Sequence, residues 1–343
     1  MRVFWAPVQL RHKPRFFLQH GVARANLEVP DRALALLEGV HALGLRTEPP
    51  AEMSTAVLRT VHSAVYVAFL GASYRQWSDT LEMGPEVVAN IHPSPEMLEQ
   101  GARRGNSPIA RAGWFTADAA CPIGRGTWTA ALGAAACAVA AADAAAAGET
   151  SYALVRPPGH HAYPARAGGH CYLNNAALAA ERLRSRGATR VAVLDIDSHH
   201  GNGTQSAFWT RDDVLFVSVH GDPSGYYPWY VGYDDELGGG DGVGCNRNLP
   251  LPRGSDDAAW LAAVDAAVES VRHFGADALV LSLGFDASAD EPLNYLSVSA
   301  DGFARAGAAI GGLRLPAAIV QEGGYNLDVI GGLLQRFLAA YAG

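Results

Sequence analysis

Cysteine is scarce here: Cys121, Cys137, Cys171 and Cys245 are the four in 343 residues, and no two of them form a CxxC pair. That spacing offers neither a thiolate zinc site nor a disulfide framework. Basic charge is not in excess either. Lys+Arg number 26 against Asp+Glu 34, for a net charge of −8, which argues against a general nucleic-acid binder. Charged residues make up only 17% and hydrophobic ones 49%, so a sizeable core can form and wholesale disorder is not expected. The most apolar stretch, AALGAAACAVAAADAAAA (130–147), is alanine-rich and broken by Asp143; it reads as a packed helix rather than a membrane span. The opening MRVFWAPVQL runs into charged sequence without the form of a secretory signal, so the expected location is the cytoplasm, with no membrane partner.

What is present is alternation. From residue 127 onward, helix-like and strand-like runs follow one another: TWTAALGAAACAVAAADAAAAGE, SYALVRP (151–157), a helix near 174–186, TRVAVLDID, DVLFVSVHGD (213–222) and SDDAAWLAAVDAAVESVRHFG. DALVLSLGFD (277–286), SADGFARAGAAIGGL, PAAIVQEGGY (316–325) and VIGGLLQRFLAAYA complete the series. This order predicts an α/β fold with a mainly parallel sheet flanked by helices on both faces. Sites in such sheets form beyond the carboxyl ends of the strands. The first third is less regular. RVFW is a candidate strand, and DRALALLEGVHALGL and AVLRTVHSAVYVAFLGASYRQW are candidate helices. Residues 78–125 carry loop signals and read as a long rim insertion. No repeat or linker divides the chain, so 1–343 is expected to be a single domain. LGGGDGVG (237–244) precedes no helix and reads as a loop rather than a dinucleotide fingerprint. Trp77, Trp114 and Phe115 read as core aromatics, with channel lining or a subunit contact as the alternative.

Four strand ends carry unusual polar residues. RPPGHH supplies His160 and His161; LDIDSHHGNG supplies Asp195, Asp197, His199 and Asn202; SLGFD supplies Asp286; EGGY supplies Glu322 and Tyr325. Buried carboxylates are costly without a positive partner. Asp197 and His199, two apart on an extended segment, point the same way, and Asp286 can complete three ligands. One histidine and two carboxylates suit zinc with a position left open. His160 and His161 then offer a general base and a general acid, and Tyr325 an oxyanion donor. Together these parts describe metal-assisted hydrolysis of an amide or ester.

RPPGHH, GGHCYLNN, LDIDSHHGNGTQ, LSLGFD and QEGGY, in this order, resemble the histone deacetylase superfamily. HSAVYVAFLGASYRQW, EVVANIHP and ACPIGRGTW are similar to its bacterial acetylpolyamine amidohydrolase branch. The resemblance implies the arginase/deacetylase fold and zinc on Asp197, His199 and Asp286, with ferrous iron as the alternative metal. It also implies His160 and His161 as the acid/base pair, Tyr325 as oxyanion donor, Asp195 orienting His160 and Asn202 contacting His161. A structural potassium ion would lie near Asp195, Asp197, His199, Ser218 and Val219. Gly169, His170, Tyr227, Leu293 and Gly323 would line the substrate tunnel. The substrate would be a small cationic acetylated amine, and the branch dimerises through the region of 78–125, which implies a homodimer.

Three departures from the family pattern matter. Many members have aspartate at the position of Asn202, so His161 is expected to have a lower pKa here. His170 stands where an aromatic wall is common. The acid associated with polyamine binding in the branch aligns with Ala120, and Asp118 is the candidate replacement. Protein or small-amide deacylation on the same machinery is the alternative activity. A silent acyl-amine binding protein would need a lost ligand or a lost Tyr325, and neither is lost. A binuclear manganese ureohydrolase would need more bridging aspartates.

Overall fold

The valine- and alanine-rich runs become short strands of one sheet. The computed structural model describes residues 1–293 and 295–343. Its strands are β1 (Arg2–Phe4), β2 (Phe16–Gln19), β3 (Val22–Ala25), β4 (Thr47–Glu48), β5 (Thr150–Ala153), β6 (Val191–Asp195), β7 (Val214–Gly221), β8 (Asn246–Leu251), β9 (Ala278–Leu283) and β10 (Ala317–Gln321). Eight of them form a sheet in the order β4-β1-β5-β10-β9-β6-β7-β8, and every pairing in it is parallel. A parallel sheet needs both faces covered. β6, β7, β9 and β10 are accordingly buried along their whole length.

The described residues form ten helices, α1 (Pro30–Ala42), α2 (Ala64–Ser78), α3 (Pro95–Glu99), α4 (Pro108–Phe115), α5 (Thr127–Ala146), α6 (Asn175–Ser185), α7 (Asn202–Phe208), α8 (Asp257–Phe274), α9 (Ala300–Gly311) and α10 (Ile330–Ala342), and the cover comes mainly from α1, α5, α6, α8, α9 and α10. Successive residues of a strand face opposite ways, and β6 shows the result. Ala192 and Leu194 pack with Leu36, Trp260, Phe303 and Phe337 of α1, α8, α9 and α10. Val191 and Val193 pack on the other face with Ala138 and Ala142 of α5 and with Ala176 and Leu183 of α6. The alanines of α5 let that helix lie close to the sheet. It is the one helix among the described residues long and apolar enough to cross a membrane, and 67% of its apolar window is buried inside the protein.

The structure departs from the sequence expectation in three places. The candidate helix AVLRTVHSAVYVAFLGASYRQW is broken into a 3-10 turn (Thr55–Thr60) and α2. Ser63 caps α2 by accepting the Tyr66 N–H, and His62 leaves the helical path to accept the Asn174 N–H at 2.9 Å. The antiparallel hairpin of β2 and β3 and the edge strand β8 were not expected. The loop at 237–244 is a loop, fastened where the Gly239 N–H meets the Trp209 carbonyl at 2.8 Å. Within 78–125, Phe115, Val87 and Ile123 join Trp77 in a third core cluster with Trp114 beside it, which favours the core reading of these aromatics.

Candidate active site

The order of the sheet explains why distant motifs meet. β5, β10, β9 and β6 are consecutive neighbours, so the segments leaving their carboxyl ends emerge side by side. Those segments are RPPGHH, EGGY, GFD and DIDSHH.

Asp197, His199 and Asp286 each offer one ligand atom, and these atoms lie within 4.8 Å of one another. His199 Nδ1 is 3.2 Å from Asp197 Oδ1 and 2.9 Å from Asp286 Oδ2. Backbone donors aim the carboxylates: the Gly323 N–H reaches Asp197 Oδ2 at 2.7 Å and the Ser198 N–H reaches Asp286 Oδ1 at 2.8 Å. Glycine is required around them. A Cβ at Gly284 would stand 2.1 Å from Asp197 Oδ2, and one at Gly323 would stand 2.3 Å from Asp286 Oδ2. Both aspartates are fully buried. Among the described residues no Arg or Lys pairs with either; their only ion-pair partners are histidines. An oxygen-and-imidazole set with uncompensated negative charge fits a divalent cation.

Two more histidines face this centre. Their rings lie 4.0 Å apart. His160 Nδ1 is 2.9 Å from Asp195 Oδ2, and His161 Nδ1 is 2.6 Å from Asn202 Oδ1. Because the Asn202 amide donates to the Tyr163 hydroxyl at 2.7 Å, its oxygen must accept from His161. The network therefore assigns the proton to Nδ1 and leaves Nε2 of His161 as an acceptor. The two rings are poised apart. Burial would lower His160, but Asp197 and Asp195 overcome it and hold it at about 10. Burial, with His160 and His199 nearby, keeps His161 well below the usual histidine range, against the opposing effect of the Asn202 hydrogen bond. Burial likewise opposes the charge of His199, while Asp286 and Asp197 raise it to about 9. A cation at this centre takes the place of those protons.

Tyr325 lines the same cavity, with its phenol held protonated by burial. Its turn is fixed from two sides. The Glu291 carboxylate accepts the Tyr325 N–H at 3.0 Å. Arg32 donates to the carbonyls of Gly324 at 2.6 Å and Glu322 at 2.7 Å, with its guanidinium 4.6 Å from the Tyr325 ring centre. Arg32 is buried in an ion pair with Glu28, which also pairs with Arg156 at 2.7 Å. Glu322 accepts the Gly159 N–H at 2.7 Å and the His160 N–H at 3.1 Å, and burial raises it to about 7 despite the opposing pull of His160. Sequence reading missed Glu28, Arg32, Arg156 and Glu291. The one available signal was the i,i+4 acid–base spacing of Glu28 and Arg32, which on its own reads as a solvated helix pair.

The cavity, about 410 Å³, runs from His160, His161, His199 and Tyr325 past Gly169, His170, Tyr227 and Leu293 to Phe17, Asp118, Ala120 and Trp229. Gly323 lies against the metal ligands: its N–H is turned onto Asp197, and a Cβ there would stand 2.6 Å from Asp197 Oδ2. His170 is buried and uncharged, since burial lowers it to about 4. The Tyr227 ring stands edge-on to His161 at 4.8 Å. Asp195 and Ser218 are register neighbours on β6 and β7. Asp195 Oδ1 takes the Asp197 N–H at 3.0 Å, and the Ser218 hydroxyl bonds His220 Nδ1 at 2.8 Å. The residues expected around potassium therefore lie at the end of β6, in the segment that follows it and within the adjacent β7.

Comparison with known proteins agrees with this geometry. The histone deacetylase domain family matches residues 26–341. The acetylpolyamine amidohydrolase of Burkholderia pseudomallei is 46% identical over 343 residues, covering 99% of this chain and 98% of its own. That of Mycoplana ramosa is 35% identical over 345 residues, covering 100% of both. A crystal structure of the Burkholderia pseudomallei acetylpolyamine aminohydrolase superposes with a TM-score of 0.96 at 44% identity, over 100% of this chain and 98% of that one. The HDA15 HD domain superposes with a TM-score of 0.82 at 28% identity, over 100% and 91%. With its arginase/deacetylase fold, the chain belongs to the histone deacetylase superfamily, in the acetylpolyamine amidohydrolase branch.

Proposed function

We propose that the protein is a metal-dependent amidohydrolase that removes acetyl groups from acetylated polyamines and related small primary-amine amides. One observation carries this reading: Asp197 and Asp286 converge on His199, and His199 lines one cavity with His160, His161 and Tyr325. The cation, zinc with ferrous iron as the alternative, supplies a Lewis acid for the amide carbonyl and lowers the pKa of a water to about 7. His161, its Nδ1 proton fixed on Asn202, takes a proton at Nε2. His160, tied to Asp195, carries the proton that the departing amine needs. Tyr325 donates its phenolic hydrogen to the oxygen of the former carbonyl, where negative charge develops. Potassium near Asp195 and Ser218 offsets the remaining carboxylate charge. We also read 78–125 as the rim that narrows access and as the contact of a homodimer in the cytoplasm; Asp118 and Ala120, which line the cavity, support the rim role.

The test is a panel of acetylputrescine, acetylcadaverine and acetyl-lysine peptides with purified enzyme. The acetylated diamines are expected to be cleaved. Chelation should abolish turnover and added zinc restore it, and Tyr325→Phe should lower kcat by roughly 10²–10³. Far better cleavage of the peptides would replace this reading with protein deacylation.

A further inference from the structure

The outer cavity carries charges of both signs that serve neither the metal nor the proton chemistry. Asp118 is the inner one. Its carboxylate takes the Tyr227 hydroxyl at 2.7 Å and the Gly169 N–H at 3.0 Å. The Ala120 N–H adds a third bond at 2.8 Å; all three donors are uncharged, so the negative charge of Asp118 is not cancelled. Arg24, on β3, and Arg253 line the same cavity and are exposed, and neither takes part in an ion pair among the described residues.

Arg253 is linked to the metal-ligand histidine through a column of rings. Its guanidinium lies 4.8 Å from the centre of the Tyr295 ring, Tyr295 stacks on Tyr226 at 4.3 Å, and Tyr226 stacks on His199 at 4.5 Å. The guanidinium is therefore at most three ring spacings from the imidazole. An extended chain advances about 1.2 Å per bond. A carboxylate seven bonds beyond an acetyl carbonyl thus lies about 8 Å from it, inside that limit and within the reach of a long arginine side chain.

The single ammonium of a plain acetylated diamine would gain from Asp118 and be repelled by two arginines. A carboxylate on the carbon that bears the free amine reverses the second effect, because guanidinium binds carboxylate through paired, charge-assisted hydrogen bonds. We propose that the mouth reads a zwitterionic head: among acetylated diamines the enzyme prefers acetylated α,ω-diamino acids, with Arg253 holding the carboxylate and Asp118 the ammonium. This rests on the amidohydrolase reading and narrows its amine.

Four amides separate the two charges at constant chain length. Nε-acetyl-lysine has both, N-acetylcadaverine only the ammonium, 6-acetamidohexanoate only the carboxylate and N-pentylacetamide neither. In the native enzyme kcat/KM for Nε-acetyl-lysine should exceed that for N-acetylcadaverine about fivefold, the upper range for an exposed ion pair. In Arg253→Ala the ratio should fall to about one, and in Arg253→Lys to an intermediate value. A native ratio at or below one, or a ratio that Arg253→Ala leaves unchanged, overturns the proposal while hydrolysis of N-acetylcadaverine keeps the amidohydrolase reading intact. If none of the four is cleaved, that reading fails first and this one with it.

Discussion

Asn202 decides which nitrogen of His161 is free. Its amide can only accept at Oδ1 once Nδ2 is committed to Tyr163, so the imidazole is oriented without being given a negative partner. A carboxylate there would stabilise the imidazolium. Asn202→Asp is therefore expected to raise the pKa of His161 and move the acid limb of the kcat/KM profile to higher pH, because the base works in its neutral form. A pH–rate profile that does not move on this substitution would count against His161 as the base. At this scale the sequence was most legible. Aspartates and histidines at the ends of valine-rich runs have no inexpensive structural role, so their presence already pointed to a cation. The second part played by Gly323 was not legible, because a glycine gives no clue to where its backbone N–H will point. Here it points at Asp197.

Among the elements, the turns after β9 and β10 matter more than the strands themselves. The Tyr325 turn has no ladder partner and is held by the Glu291 carboxylate, which accepts the N–H groups of Tyr325 at 3.0 Å and Asn326 at 3.3 Å. The same segment carries Leu293, whose carbonyl takes the Tyr226 hydroxyl at 3.1 Å, so the phenol and a tunnel wall share one brace. Removing it leaves the tyrosine present but poorly aimed, and small misplacements of a reacting group are costly in rate. Glu291→Ala is expected to cut kcat roughly 10-fold or more with a smaller change in KM, while Glu291→Asp retains part of the lost rate. Equal loss through KM alone would show that the turn does not depend on this brace. Elements with strong patterns were readable in advance: β6, β7, β9 and β10 are continuous apolar runs, and α8 buries Trp260, Leu261, Val264, Val268 and Val271 at helical spacing. The hairpin was not. Every residue of β3 is exposed, so it lacks the alternation that marks a half-buried strand, and β8 carries Asn and Pro on the sheet edge, where sequence looks like loop.

At the scale of the whole molecule, the two ends of the chain are fastened together beneath the site. Arg32, in the first turn of α1, reaches the backbone of the turn that bears Tyr325 and pairs with Glu28 just before the helix, while Arg156 ties the same acid to the segment before His160. None of these three side chains is more than 1% exposed. Breaking a buried pair by deleting one partner leaves an uncompensated charge and costs about 3–5 kcal/mol. Arg32→Met is expected to lower the thermal midpoint by several degrees and to depress turnover beyond what the lost stability explains; an unchanged midpoint would show that the charge network is dispensable. Every group assigned to metal and proton chemistry lies after residue 158, yet the turn that bears Tyr325 is clamped by Arg32, 292 positions before Gly324. A chain without Glu28 and Arg32 would own the full set of reactive groups and still lack the vice that holds them, so activity should switch on only when these two distant stretches of the polypeptide have met.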